Sequence, residues 1–171
     1  MSTISWDSYF MTMAYLVSAK SKDPSTRVGS VIVSSDNQII ATGYNGLPRG
    51  LEDTKERYEK PLKYQLISHA EENCILQCAR SNISAKGSKI YVPWCPCSNC
   101  SKLIVQAGIT EVIIHKQFPG NENLNSDWSK SFELTKEILN ECGVGLRVFD
   151  GELVKIEGLY SGENFDLYDN W

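Results

Sequence analysis

A chain of 171 residues fits one domain, read as a single unit over residues 1–171. With 42% hydrophobic and 22% charged residues it has an ordinary globular make-up, which excludes wholesale disorder, and no apolar run is long enough to span a bilayer. Lys and Arg total 17 against 21 Asp and Glu, a formal charge of -4, so the bulk charge argues against a polynucleotide partner while leaving room for a local anion pocket.

The chain opens without a basic, apolar, small-residue signal. Ile4, Trp6, Tyr9 and Phe10 alternate with Ser2, Ser5 and Asp7, so a cytoplasmic location is expected, or the host cytoplasm for a viral source. Residues 6–20 place Phe10, Met13, Ala14 and Val17 at helical spacing, and Ser21-Lys22-Asp23-Pro24 breaks the pattern. Residues 28–34 (VGSVIVS) and 38–44 (QIIATGY) flank an Asp36-Asn37 turn and predict a β-hairpin. Residues 45–50 (NGLPRG) read as a loop, and the charged stretch 52–64, with Pro61, as a surface insertion.

Helices are predicted over residues 68–80 and 97–107, the second ended by Gly108. A third runs from a cap at Ser126 to Glu141 and is ended by Gly143. Strands are predicted at 88–93 (SKIYVP), 111–115 (EVIIH) and 145–149 (GLRVF). The order strand, helix, strand, helix, strand implies parallel strands with packed helices; with the hairpin it gives an α/β fold on a mixed sheet of about five strands. The tail, residues 151–171, is acidic and aromatic and is assigned no structure.

Two segments carry the chemistry, Ser68-His69-Ala70-Glu71-Glu72-Asn73 and Trp94-Cys95-Pro96-Cys97-Ser98-Asn99-Cys100. Cys97 and Cys100 form a Cys-x-x-Cys pair at a strand-to-helix junction, and His69 opens the other helix. Three such ligands leave one tetrahedral position of a zinc ion open, the catalytic rather than the structural pattern. Glu71, two residues past His69, is placed to move a proton rather than to ligate. Each piece alone has a plainer reading: Cys-x-x-Cys as a redox pair or half a structural site, His69 as a satisfied histidine, Ser68 and Glu71 as a capping box. Cys95 is the one serious competitor as a ligand; Cys74 and Cys78 read as packing on the sheet, and His115 as structural.

Together the pieces match H-x-E…P-C-x-x-C, the signature of zinc nucleobase deaminases. The chain thus resembles the cytidine/deoxycytidylate deaminase superfamily over roughly residues 9–149. The resemblance implies a three-layer α/β/α sandwich with zinc between two helix N-termini, and hydrolysis of the cytosine 4-amino group with Glu71 as proton shuttle. SKDPSTRVG (residues 21–29), GYNGLPRG (43–50) and HAEEN (69–73) are most similar to the deoxycytidylate deaminases. That implies dCMP as substrate, dUMP and ammonia as products, and Arg27, Asn45, Ala70 and Phe118 as substrate contacts. It further implies a homo-oligomer, with a hexamer favoured, activated by dCTP and inhibited by dTTP with Mg²⁺. Lys20, Lys22, Gly46, Arg49, Gly50 and Arg80 are the candidate effector residues. The segment between Leu51 and Leu66 holds no Cys or His, so a second structural zinc is not expected there. A tRNA or single-stranded nucleic-acid deaminase and a non-catalytic zinc-stapled module are the alternatives.

Overall fold

The computed structural model of the chain describes residues 3–122, 129–155, 157–161 and 163–166. Helix α1 (Trp6–Ser18) starts at Ser5, whose hydroxyl accepts from the Ser8 N–H and caps the first turn. It leads to the hairpin β1 (Gly29–Val33) and β2 (Ile39–Tyr44), turned through Asn37 at φ 65°. A 3₁₀ turn (Lys55–Tyr58) and the one-turn helix α2 (Lys63–Leu66) follow, then α3 (Ala70–Arg80) and β3 (Lys89–Tyr91). The remaining elements are α4 (Ser98–Gln106), β4 (Glu111–His115), α5 (Pro119–Glu122), α6 (Ser129–Glu141) and β5 (Gly145–Phe149). The predicted cap Ser126 lies outside the described residues.

One sheet has the order β2-β1-β3-β4-β5. β1 pairs antiparallel with β2 and β3, whereas β3-β4 and β4-β5 are parallel, as the two crossovers through α4 and α6 require. All five β1 residues are buried because both faces of the sheet are covered. On one face Val31, Val33, Tyr91 and Ile113 meet Phe10, Met11 and Ala14 of α1. On the other, Ile32, Ile90, Val112 and Ile114 meet Cys74 and Cys78 of α3, Ile104 of α4 and Leu139 of α6. Three layers, α/β/α, result, and the period-two alternation of the strands divides the core between them. Gly29 sets the first packing distance, since a Cβ there would stand 2.2 Å from the Ala14 carbonyl oxygen.

Two expectations change. The tail is not featureless: β6 (Glu157–Tyr160) and β7 (Glu163–Asp166) form an antiparallel pair beside Ser161 at φ 50°. Its strands carry little of the β-branched alternation by which strands are recognised. The 52–64 stretch is not wholly surface, because Lys63 is only 7% exposed. No helix among the described residues is long and apolar enough to cross a membrane.

Candidate active site

His69 and Cys97 are the N-caps of α3 and α4, both with extended backbone. The motif therefore sits where two helices direct their first-turn N–H groups and positive dipole ends at one spot. The Cys97 sulfur accepts from the Cys100 N–H at 3.5 Å. His69 Nδ1 lies 3.4 Å from Cys97 Sγ and 3.5 Å from Cys100 Sγ. Zn–N and Zn–S bonds at a tetrahedral angle would set those atoms about 3.6 Å apart, so the three donors fit one zinc ion. Among the described residues this is the single group of three His, Cys, Asp or Glu side chains close enough to share a metal.

The donors already share charge. Cys97 is held below the usual thiol range, chiefly by the Cys100 thiol and then by His69, against the cost of burial. Cys100 is pushed up by Cys97 and burial, and His69 is raised to about 9, mainly by its hydrogen bond with Cys97. A thiolate at a helix N-terminus beside an imidazolium is the expected metal-free state. Cys95 does not join the group; burial pushes its thiol up to about 12.

Glu71 is 5% exposed in the first turn of α3. Burial raises its carboxyl above the usual range, opposed first by the nearby His69 charge. The capping-box reading fails, because the N-cap is His69 rather than Ser68. Ser68 instead forms a backbone bridge with Gly46, each N–H donating to the other's carbonyl at 3.0 Å.

His69, Ala70, Glu71 and Cys97 line a cavity of about 230 Å³. Asn45 lines it too, but its side chain is occupied: it accepts from the Val28 N–H at 2.9 Å and donates to Asp23 at 3.2 Å and the Thr26 carbonyl at 2.9 Å. Arg27 is exposed, with Nε donating to the Asp23 carbonyl at 3.4 Å, and is not among the lining residues. Phe118 is also absent from the lining; it stacks on Trp94, which does line the cavity, with ring centroids 5.6 Å apart. Lys60 and Lys63 line it instead of Lys20, Lys22 and Arg27, the three cations nearest the first loop in sequence.

Of the candidate effector residues, Gly46 and Arg49 line a separate hollow of about 80 Å³ with Tyr44 and Asn73. Arg49 donates to Gln77 at 2.8 Å, Lys22 pairs with Asp53 at 2.5 Å, and Gly50 holds φ 88°. Lys20, Lys22, Gly50 and Arg80 are not among that hollow's lining residues; Arg80 closes the last turn of α3.

Supporting residues come from elsewhere in the chain. Asn121 accepts from the Cys95 N–H at 2.9 Å and donates to the Pro93 and His115 carbonyls at 2.7 Å. Thr135 donates to the Pro96 carbonyl at 2.9 Å, and Ser131 accepts from the Ser98 N–H at 2.9 Å. These bonds fix the loop that presents Cys97. His115 is structural, bonded to the Tyr15 hydroxyl at 2.8 Å and stacked on Phe149.

Known proteins are similar to this chain in sequence and in fold. Residues 4–116 match the family model of the cytidine and deoxycytidylate deaminase zinc-binding region. Deoxycytidylate deaminase of Homo sapiens is 38% identical over 159 residues, 90% of this chain and 84% of that protein. Deoxycytidylate deaminase of Mus musculus is 43% identical over 116 residues, 64% of each chain. The crystal structure of dCMP deaminase from the cyanophage S-TIM5 in complex with dCMP and dUMP superposes with a TM-score of 0.67. It is 25% identical, with 87% of this chain and 100% of that chain covered. Fold, donor set and matched region together place the chain in the cytidine and deoxycytidylate deaminase family.

Proposed function

We propose that the protein hydrolyses dCMP to dUMP and ammonia. The observation that carries this reading is the buried Glu71 carboxylate in the wall of the cavity that also exposes His69 and Cys97. His69 Nδ1 and the thiolates of Cys97 and Cys100 would hold zinc, which when bound lowers the pKa of a water to about 7 and so supplies the nucleophile. Glu71 takes the proton of the attacking water and passes it to N3 as the C4–O bond forms. It then takes the remaining proton of the new C4 hydroxyl and delivers it to the 4-amino group as the C4–N bond breaks, leaving a C4 carbonyl and ammonia. A desolvated carboxylate with a raised pKa is suited to both directions of transfer. Ala70 offers a first-turn N–H, which helix geometry leaves without an intrahelical acceptor, while Asn45 shapes the wall through its bonds to Val28 and Asp23.

The monophosphate is chosen as substrate because relatives similar over most of the chain are deoxycytidylate deaminases. Ammonia release from dCMP, deoxycytidine and a cytosine-containing oligonucleotide tests it. The highest kcat/KM is expected for dCMP, and a higher value for either competitor overturns the reading.

Regulation belongs to the same proposal: a homo-oligomer, in its fullest form a hexamer, activated by dCTP and inhibited by dTTP with Mg²⁺. The support is the hollow at Gly46 and Arg49, whose floor reaches Asn73 of α3 and whose Gly46 is bridged to Ser68, next to His69. A ligand seated there is coupled to the site if it binds two arrangements of that bridge unequally. The two triphosphates should move the dCMP saturation curve in opposite directions, and Arg49→Ala should weaken both shifts. A hyperbolic curve unmoved by either overturns this part.

A further inference from the structure

The two halves of the donor set are held in different ways. On the His69 side the backbone suffices: Ser68 and Gly46 exchange two N–H bonds at 3.0 Å, and His69 is itself the N-cap of α3. On the cysteine side the chain leaves the sheet after β3 and must deliver Cys97 to the start of α4. Its last ladder contacts are Val92 N–H to the Ile113 carbonyl and His115 N–H to the Pro93 carbonyl. Beyond them, side chains from α5 and α6 grip it at Cys95, Pro96 and Ser98.

Thr135 and Ser131 bond to this loop, whereas Asn121 bonds to the loop and to the end of β4 at once. Its Oδ1 accepts from the Cys95 N–H at 2.9 Å, and its Nδ2 donates to the Pro93 and His115 carbonyls, both at 2.7 Å. A carboxamide supplies the two donors and the acceptor that these three backbone groups need. The α5 turn is anchored in its own right: Phe118 N–H donates to the His115 carbonyl at 3.2 Å and Asn121 N–H to the Phe118 carbonyl at 2.9 Å. The last four residues of β4 are buried, so the anchor belongs to the core. Gly120 lets the turn close on the loop, since a Cβ there would stand 2.5 Å from Trp94 Nε1. We infer that Asn121 is a positioning residue of the metal centre: by pinning Pro93 and Cys95 to β4 it holds Cys97 in place beside His69 and so sets how tightly zinc is kept. Donors already in place lose less freedom on binding, and polar partners behind a ligand set are typically worth about 10- to 100-fold in metal affinity. This inference rests on the reading of His69, Cys97 and Cys100 as zinc donors.

Competition with a chromophoric chelator gives the zinc affinity of the wild-type, Asn121→Ala and Asn121→Asp proteins. The visible absorption of their cobalt(II) forms reports the geometry of the donors. Asn121→Ala should bind zinc about 10- to 100-fold more weakly. Its cobalt bands should shift or lose intensity, which a lower overall stability of a folded protein would not produce. Asn121→Asp keeps the acceptor for the Cys95 N–H but loses both donors, so it should fall between the other two, and it decides the question where the alanine protein does not fold. A zinc affinity within about twofold of wild type, with unchanged cobalt bands, overturns the inference. A wild-type protein that takes up no zinc refutes the donor reading and the inference with it. None of these measurements uses dCMP, so a wild type that binds zinc but leaves dCMP intact refutes the function above while the zinc affinities still decide the role of Asn121.

Discussion

Replacing Gly43 by alanine tests how closely the site depends on one packing distance. Gly43 lies in β2 against the first turns of α3, the helix that begins with His69 and Glu71. An alanine Cβ would stand 2.4 Å from both the Ala70 carbonyl oxygen and the Cys74 N, where ordinary contact begins at 3.4 Å. The opposing atoms are helix backbone, so α3 must retreat by about 1 Å as a unit. Overpacking of this kind costs about 1–3 kcal/mol. The Ser30 hydroxyl bond to the Ala70 carbonyl, 2.8 Å long, lies in the path of the shift and adds roughly 1 kcal/mol if lost. The same displacement draws His69 away from Cys97 and Cys100, and a misplacement of about 1 Å at a reacting centre can cost about 100-fold in rate. Urea unfolding, zinc content and ammonia release should all report the change. Gly145→Ala is the control, because the nearest atom to its Cβ would be 3.5 Å away. A Gly43→Ala protein within about 0.5 kcal/mol of wild type, with full zinc, would refute the reasoning.

Three further outcomes follow from the donor set and the charges. Cys97→Ser and Cys100→Ser should lose zinc by elemental analysis, while Cys95→Ser retains it, its sulfur standing outside the shared group. Zinc uptake by metal-free protein at pH 7 should release about two protons, one from His69 and one from Cys100, because Cys97 already holds the thiolate. Calorimetry in buffers of different ionisation enthalpy reads that number, and uptake without proton release would contradict the charge assignment. Asp7 is held below the usual carboxylate range first by its hydrogen bond from Arg147, against burial. A carboxyl lowered in the folded state adds stability that is present above its unfolded value near pH 4 and is lost as pH falls through the folded value. Wild type should therefore lose stability below about pH 4 more steeply than Asp7→Asn; the difference at neutral pH is about 1 kcal/mol, small because both partners are part-exposed. Parallel pH curves would remove this role.

The strands and long helices were legible because each carries a period that the three-layer packing needs. Val31 and Val33 face α1 while Ile32 faces α3, as two-residue alternation requires. The zinc donors were legible because a helix N-terminus and a Cys-x-x-Cys spacing are local features. What depends on distant chain segments was not. Asn121, Ser131 and Thr135 brace the Cys97 loop from α5 and α6, and no local pattern marks an asparagine whose partners lie up to 28 residues away. Lys63 was misread because a lysine in a charged run is ordinarily solvated, and its burial rests on Asp23, 40 residues earlier. The bond from Arg27 Nε to the Asp23 carbonyl is likewise a feature of the folded loop that its residue type does not announce.

The most direct test of the central claim is ammonia release from dCMP by the Glu71→Gln protein carrying one zinc per chain. Glutamine keeps the size and shape of the buried side chain but cannot accept the proton. Turnover should fall at least about 100-fold with zinc content unchanged. Near-normal turnover in that zinc-loaded protein would contradict the assignment of Glu71 as the proton carrier.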